Sequence, residues 1–205
     1  SAIAIQEMAM ALEWSDVADF TVPDNGFIKG EKLEAYVNRM VRDTPVEAFP
    51  TRFFAVATDL RTGREAVFDK GSAGAAVRAS SSIPGIFQPM RIGDGIYIDG
   101  GVVSPVAVDA ARRLGAGTVI AVDISGEVDG AVPESTLDTI FQAVNIMYAK
   151  IAAQQDSRAD VVIRPRVGFI GAGDFSRRHE AILEGEKAAQ AALPEIRSLL
   201  GASGR

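Results

Sequence analysis

An aspartate followed by two glycines, Asp99-Gly100-Gly101, stands directly after the apolar segment Ile96-Tyr97-Ile98. A carboxylate there can take a proton from a hydroxyl, provided it lies within hydrogen-bond reach in a shielded site. The glycines after it let the backbone turn tightly without crowding that site. On the tripeptide alone a plain turn is the competing reading, since Asp and Gly dominate turns. Two other aspartates compete for the role of base. Asp59 precedes Leu60-Arg61-Thr62-Gly63 and reads as a turn former, and Asp123 ends an apolar run, where it caps a loop or stands behind a site.

Other chemistries find little support. The chain has no cysteine and one histidine, His179, so neither a thiolate metal site nor a histidine cluster is available. No G-x-x-x-x-G-K-[ST] loop occurs, and Gly93-Asp94-Gly95 lacks the rest of a dinucleotide fingerprint. His179 opens a charged helical stretch, FSRRHEAILEGEKAA, where a solvated histidine is the expected state. A G-x-S-x-G elbow is absent. Lys70-Gly71-Ser72-Ala73-Gly74 comes nearest, but Lys70 occupies the first glycine position and Ser72 reads as a helix cap.

The elements that must position these residues alternate between helix and strand. Ile5–Leu12 reads as the tail of a helix, and Glu31–Arg42 repeats Leu33, Tyr36, Val37 and Met40 at helical spacing. Arg52–Leu60 reads as a buried strand, turned by Thr62-Gly63 into a hairpin with Ala66-Val67-Phe68. Gly71–Ser80 is a small-residue helix stopped by Pro84-Gly85. Pro105–Leu114 is a helix with Pro near its first turn and Gly115 past its end. Thr118–Ile124 is a strand apolar on both faces, Leu137–Ile151 a long helix with one apolar face, and Asp160–Arg164 a further strand. Turn or loop chemistry marks Phe20–Gly30, Gly126–Pro133 and Val167–Asp174, and Arg178–Leu200 closes the chain as a helix interrupted or kinked at Pro194. Helix followed by doubly apolar strand implies an α/β fold with a parallel sheet covered by helices. Phe53–Leu60 and Thr118–Ile124 are expected in one sheet.

The stretch Arg78–Ser125 carries an ordered set of short motifs: Arg78-Ala79-Ser80, Ile83-Pro84-Gly85-Ile86-Phe87 with Pro89, Asp99-Gly100-Gly101, Pro105 and Ile120-Ala121-Val122-Asp123. In order and spacing this resembles the patatin-like phospholipase family, in particular its short bacterial members related to the neuropathy target esterase. Gly26–Gly30, Ala55–Leu60 with Thr62-Gly63, and Ala159–Pro165 extend the resemblance over nearly the whole chain. The resemblance implies a three-layer α/β sandwich with a mostly parallel sheet, one domain over residues 1–205, and lipid or acyl-ester hydrolysis by a Ser-Asp dyad without histidine. Asp99 is then the base, lying in a pocket lined partly by Ser80–Phe87. The family's glycine-rich oxyanion loop and nucleophile elbow precede the helix leading to Trp14-Ser15-Asp16. Both are missing, so the serine is expected upstream of Ser1. No metal or organic cofactor is implied. A non-catalytic lipid-binding or interaction module on the same scaffold is the alternative, and a hydrolase using Ser72 a further one.

Composition bounds the partners. The 205 residues are 47% hydrophobic and 23% charged, values of a folded domain rather than a disordered chain. A formal net charge of −6 argues against sequence-independent nucleic-acid binding. No apolar run is long enough to span a bilayer, so peripheral membrane contact or a cytoplasmic location is expected. The apolar face of Leu137–Ile151, with Phe141, Met147 and Tyr148 nearby, is expected to pack into a core rather than onto a membrane.

Overall fold

Ala55, Val56, Ala57 and Thr58 are buried in succession in the computed structural model, which describes residues 2–22, 25–125, 132–171 and 174–202. Parts of the expected turns and loops at Phe20–Gly30, Gly126–Pro133 and Val167–Asp174 lie outside the described residues. The chain divides into two compact units, Leu12–Ser104 and the remainder.

In the first unit the four buried residues belong to β1 (Ala55–Asp59). It pairs antiparallel with β2 (Glu65–Phe68) on one side and with β4 (Gly95–Asp99) on the other. β3 (Met90–Ile92) closes the edge beside β4, giving the order β2-β1-β4-β3. The expected hairpin at Thr62-Gly63 is present, whereas β3 has no counterpart among the expected elements. The mostly parallel sheet is not what these strands form. Tight turns join β1 to β2 and β3 to β4, and a tight turn can only return a strand antiparallel.

Helix α4 (Ala73–Ser80) covers this sheet with its smallest side chains. Ala73, Gly74, Ala76 and Ala79 are buried, and Ala79 packs with Ala57 and Met90, beside Phe68 and Tyr97. Those two rings meet edge to face at 5.0 Å, a favoured aromatic geometry. Small residues also let α4 approach α3 (Glu31–Met40), where a Cβ on Gly74 would stand 2.3 Å from the Glu34 carbonyl oxygen. The start of α3 is capped from a distance: the Asp19 carboxylate accepts from the N–H groups of Gly30, Glu31 and Lys32 at 2.7, 2.9 and 3.2 Å. These are donors that a helix cannot satisfy internally. Asp19→Ala is therefore expected to cost about 1–2 kcal/mol of stability; an unchanged urea midpoint would show the cap to be idle.

The second unit holds α1 (Ala2–Ala11) and the residues from Pro105 onward. Its strands β5 (Ile120–Val122) and β6 (Val161–Ile163) pair in parallel, Ile120 with Val161 and Val122 with Ile163, joined through the long helix α6 (Thr136–Asp156). A parallel pair needs such a crossover. The two expected strands thus fall in separate sheets. Helix α5 (Val108–Arg113) packs on one face of β5, with Val108, Val119 and Ala121 forming a buried cluster. It begins three residues after Pro105, behind Ala107 in left-handed conformation at φ 53°, so Pro105 is outside the first turn. The other face of β5 is open, with Ile120 41% and Val122 55% exposed, and Ile124, past the end of the strand, 67% exposed. The expectation of a strand covered on both faces fails there. On α6, Phe141, Val144 and Tyr148 are half-buried while Ile140 and Met147 are exposed, so only part of the expected stripe faces a core. Helix α7 (Arg178–Ala202) runs through Pro194 without interruption.

Candidate active site

Asp99 ends β4, one of the two central strands of its sheet, so its backbone is held from both sides. Its N–H donates to the Ser82 carbonyl at 2.9 Å. Its carbonyl accepts from the buried Thr58 hydroxyl at 2.8 Å. The side chain then caps the 3-10 turn Gly100–Val102, Oδ1 accepting from the Gly101 N–H at 2.7 Å. The second carboxylate oxygen has no protein partner among the described residues. Asp99 is half-buried. Burial pushes its pKa above the ordinary aspartate value of 3.8, while the Gly101 N–H pulls the other way. One oxygen anchored, one oxygen open and a raised proton affinity are what a general base requires.

The residues flanking Asp99 form a relay of backbone anchors. Ser82 is buried, and its hydroxyl donates to the Arg78 carbonyl at 2.8 Å. Arg78 in turn reaches Glu34 at 2.9 Å and the Lys29 carbonyl at 2.7 Å, tying the end of α4 to α3. The Arg78-Ala79-Ser80 motif and the Ser80–Ser82 run therefore hold the backbone of Asp99 through Ser82. Reading the sequence alone missed Thr58 and the Ser82 carbonyl. The signal for Thr58 was its place in Ala55–Leu60, next to Asp59, which drew the attention instead.

The other candidates are engaged elsewhere. Asp59 accepts from the N–H groups of Arg61 and Thr62, both at 2.9 Å. That is a turn former's geometry, and the Thr62 N–H lowers its pKa. Asp123 is buried, accepts from the Ser125 N–H at 2.9 Å and lies 3.7 Å from Arg164, which makes it a loop cap. Ser72 caps α4, accepting from Ala75 N–H at 3.1 Å while its hydroxyl donates to the Asn38 amide oxygen at 3.1 Å. An amide cannot deprotonate it. His179 is exposed at the start of α7. Among the described residues, no group of three or more His, Cys, Asp or Glu could hold a metal ion, and no helix is long and apolar enough to cross a membrane.

Comparison with known proteins gives this geometry a context. The profile of the family described as Patatin-like phospholipase matches residues 8–112, about half of the chain and all of the Asp99 neighbourhood. An uncharacterized NTE family protein of Mycobacterium tuberculosis is 27% identical over 203 residues, covering 86% of this chain and 35% of the relative. A second NTE family protein, of Mycobacterium bovis, is 29% identical over 141 residues, 69% of this chain and 39% of the relative. A lysophospholipase of Debaryomyces hansenii is 28% identical over 127 residues, 62% of this chain and 8% of its own length. The chain thus spans about a third of the mycobacterial proteins and much less of the lysophospholipase.

Proposed function

The chain belongs to the patatin-like phospholipase family, and we propose that it carries the general base of a serine acyl hydrolase acting on lipid or acyl-ester substrates. The observation that carries this reading is the Asp99 carboxylate, clamped at one oxygen by Gly101 and open at the other. In the reaction, Asp99 accepts the hydroxyl proton as the serine oxygen bonds to the ester carbonyl carbon. The proton passes to the departing alcohol; Asp99 then takes a proton from the water whose oxygen bonds to the acyl carbon, and returns it to the serine oxygen as the acyl–serine bond breaks. Written this way, the chemistry uses no histidine, metal or organic cofactor.

The serine lies outside these 205 residues, in the same patatin-like domain. Support comes from the lack of any G-x-S-x-G and from the commitment of Ser72 to capping. The open face of β5 supports it too, since Ile120, Val122 and Ile124 would be covered by further strands or helices of a larger three-layer fold. The lysophospholipase among the relatives favours a lysophospholipid ester as substrate.

A fluorophosphonate probe, which labels activated serines, tests this. Applied to the polypeptide that contains these residues, it is expected to modify a serine outside them and to leave the 205-residue chain unlabelled. A label on Ser72, Ser80, Ser81 or Ser82 would overturn the placement. No labelled serine anywhere, with the fold intact, would favour the non-catalytic module.

A further inference from the structure

In the unit that contains β5 and β6, an open surface cleft of about 330 Å³ is lined by Arg164, Arg166, Glu184, Lys187 and Ala188. Its lining brings three cations beside one carboxylate, with Asp156 and Asp123 paired to Arg164 from behind, so Arg166 is the cation that carries no carboxylate partner among the described residues. The placement follows from the fold. Arg164 and Arg166 come directly after β6, at the carboxyl end of the parallel pair, where α/β sheets gather ligands. Val167 N–H closes on the Pro165 carbonyl at 3.0 Å, a tight turn centred on Arg166. Glu184, Lys187 and Ala188 stand at i, i+3 and i+4, one face of α7.

The two arginines differ in how they are held. Arg164 is anchored at one end, donating to Asp156 Oδ2 at 2.6 Å, with Asp123 at 3.7 Å. Asp156 is only 5% exposed, whereas the Arg164 side chain is 60% exposed. A guanidinium carries five N–H groups, so Arg164 is fixed and still has donors to offer. Arg166 is exposed and makes no hydrogen bond or ion pair among the described residues. Lys187 bonds Glu184 at 2.7 Å and retains two ammonium hydrogens.

We propose that this cleft binds a phosphate group, held by Arg164, Arg166 and Lys187. A tetrahedral anion takes donors from several directions, which suits two guanidinium forks and one ammonium arriving from a turn and a helix. A carboxylate would be satisfied by one arginine, and an apolar ligand would find only Ala188. The volume holds a phosphate with a small substituent. The group comes either from a soluble phosphate ester or from a phospholipid head group. The site does not depend on Asp99 as a base, and Asp99→Asn leaves it unchanged.

Calorimetric titration of the 205-residue chain with inorganic phosphate at constant ionic strength is expected to show saturable one-to-one binding. Arg166→Ala and Lys187→Gln should each weaken it by about tenfold, while Arg61→Ala, on the β1–β2 turn, leaves it unchanged. Glycerol phosphate and vesicles of phosphatidic acid or phosphatidylcholine separate the sources. Competition by glycerol phosphate without vesicle binding assigns a soluble ester; Arg166-dependent sedimentation with phosphatidic acid vesicles alone assigns a head group. Absence of saturable binding overturns the proposal. So does equal affinity in the folded Arg166→Ala, Lys187→Gln and Arg61→Ala variants.

Discussion

Asp99→Asn is expected to reduce hydrolysis of a p-nitrophenyl acyl ester by about two to four powers of ten in the polypeptide that contains this chain and the nucleophile. Asparagine has the same size, and its Oδ1 can still accept from the Gly101 N–H that holds Oδ1 of Asp99 at 2.7 Å. It cannot take the serine proton. The fold is expected to tolerate the change, because burial raises the Asp99 pKa. The folded chain then holds the Asp99 proton more tightly than the unfolded chain. Stability is therefore lost as pH rises through the ordinary aspartate value near 3.8 towards the raised folded value. An uncharged asparagine escapes that loss, so the variant should melt no lower than the parent at neutral pH. His179→Ala is the matched control and should leave the rate unchanged, since that histidine is exposed. Near-parental turnover in Asp99→Asn would sink the dyad assignment.

The same shift fixes the sign of the pH profile. As the proposed base, Asp99 takes a proton only when ionised, so activity is expected to fall as pH drops through its pKa. Because burial sets that value above 3.8, the acid limb of kcat/KM should lie above the range of a solvated aspartate and should vanish in Asp99→Asn.

The capping role of Ser72 and the turn at Asp59 were legible in the residue string because both are made by neighbours in sequence. Asp99-Gly100-Gly101 by itself reads as a turn, and only the ordered motifs around it single out Asp99 as the candidate base. The clamps on Asp99 were not legible. The Thr58 hydroxyl and the Ser82 carbonyl come from 41 and 17 positions away, and only strand pairing and the end of α4 deliver them. Sheet direction failed for a related reason. An apolar run such as Arg52–Leu60 has the same composition whether its neighbours run parallel or antiparallel; the Thr62-Gly63 turn marks one antiparallel neighbour, β2, but nothing local marks the other, β4, whose own hairpin partner β3 is only three residues long. The open face of β5 was hidden because apolarity records what a strand is suited to pack against, not what these residues supply.

Gly100 carries the second large effect. It is not in a left-handed conformation, so its freedom in φ is not what the site uses. A Cβ there would lie 2.2 Å from the Val56 carbonyl oxygen and 2.8 Å from its carbon. Both atoms are backbone of β1, and Val56 is buried and paired in register with Val67. No side-chain rotation relieves such a clash. Either β1 shifts in its ladder, or the turn after Asp99 lifts away and loses the Ala57–Asp99 pairing and the Thr58 hydrogen bond. Overpacking a rigid site costs about 1–3 kcal/mol, and a backbone-to-backbone clash belongs at the upper end. For a unit of this size Gly100→Ala should lower the midpoint of thermal unfolding by roughly 10 °C or more. Gly185→Ala is the counterpart: a Cβ there meets nothing within 4 Å inside α7, so alanine should stabilise by about 0.5–1 kcal/mol. Hydrogen exchange separates the two routes of relief, since a shifted β1 loses protection at Val56–Thr58 and a lifted turn loses it at Asp99 and Gly101. In either case the carboxylate moves off its clamps, and Gly100→Ala should lose activity beyond what its unfolded fraction explains. A variant that melts within a degree or two of the parent and keeps full activity would show that the close packing of Gly100 against Val56 does not hold the base in place.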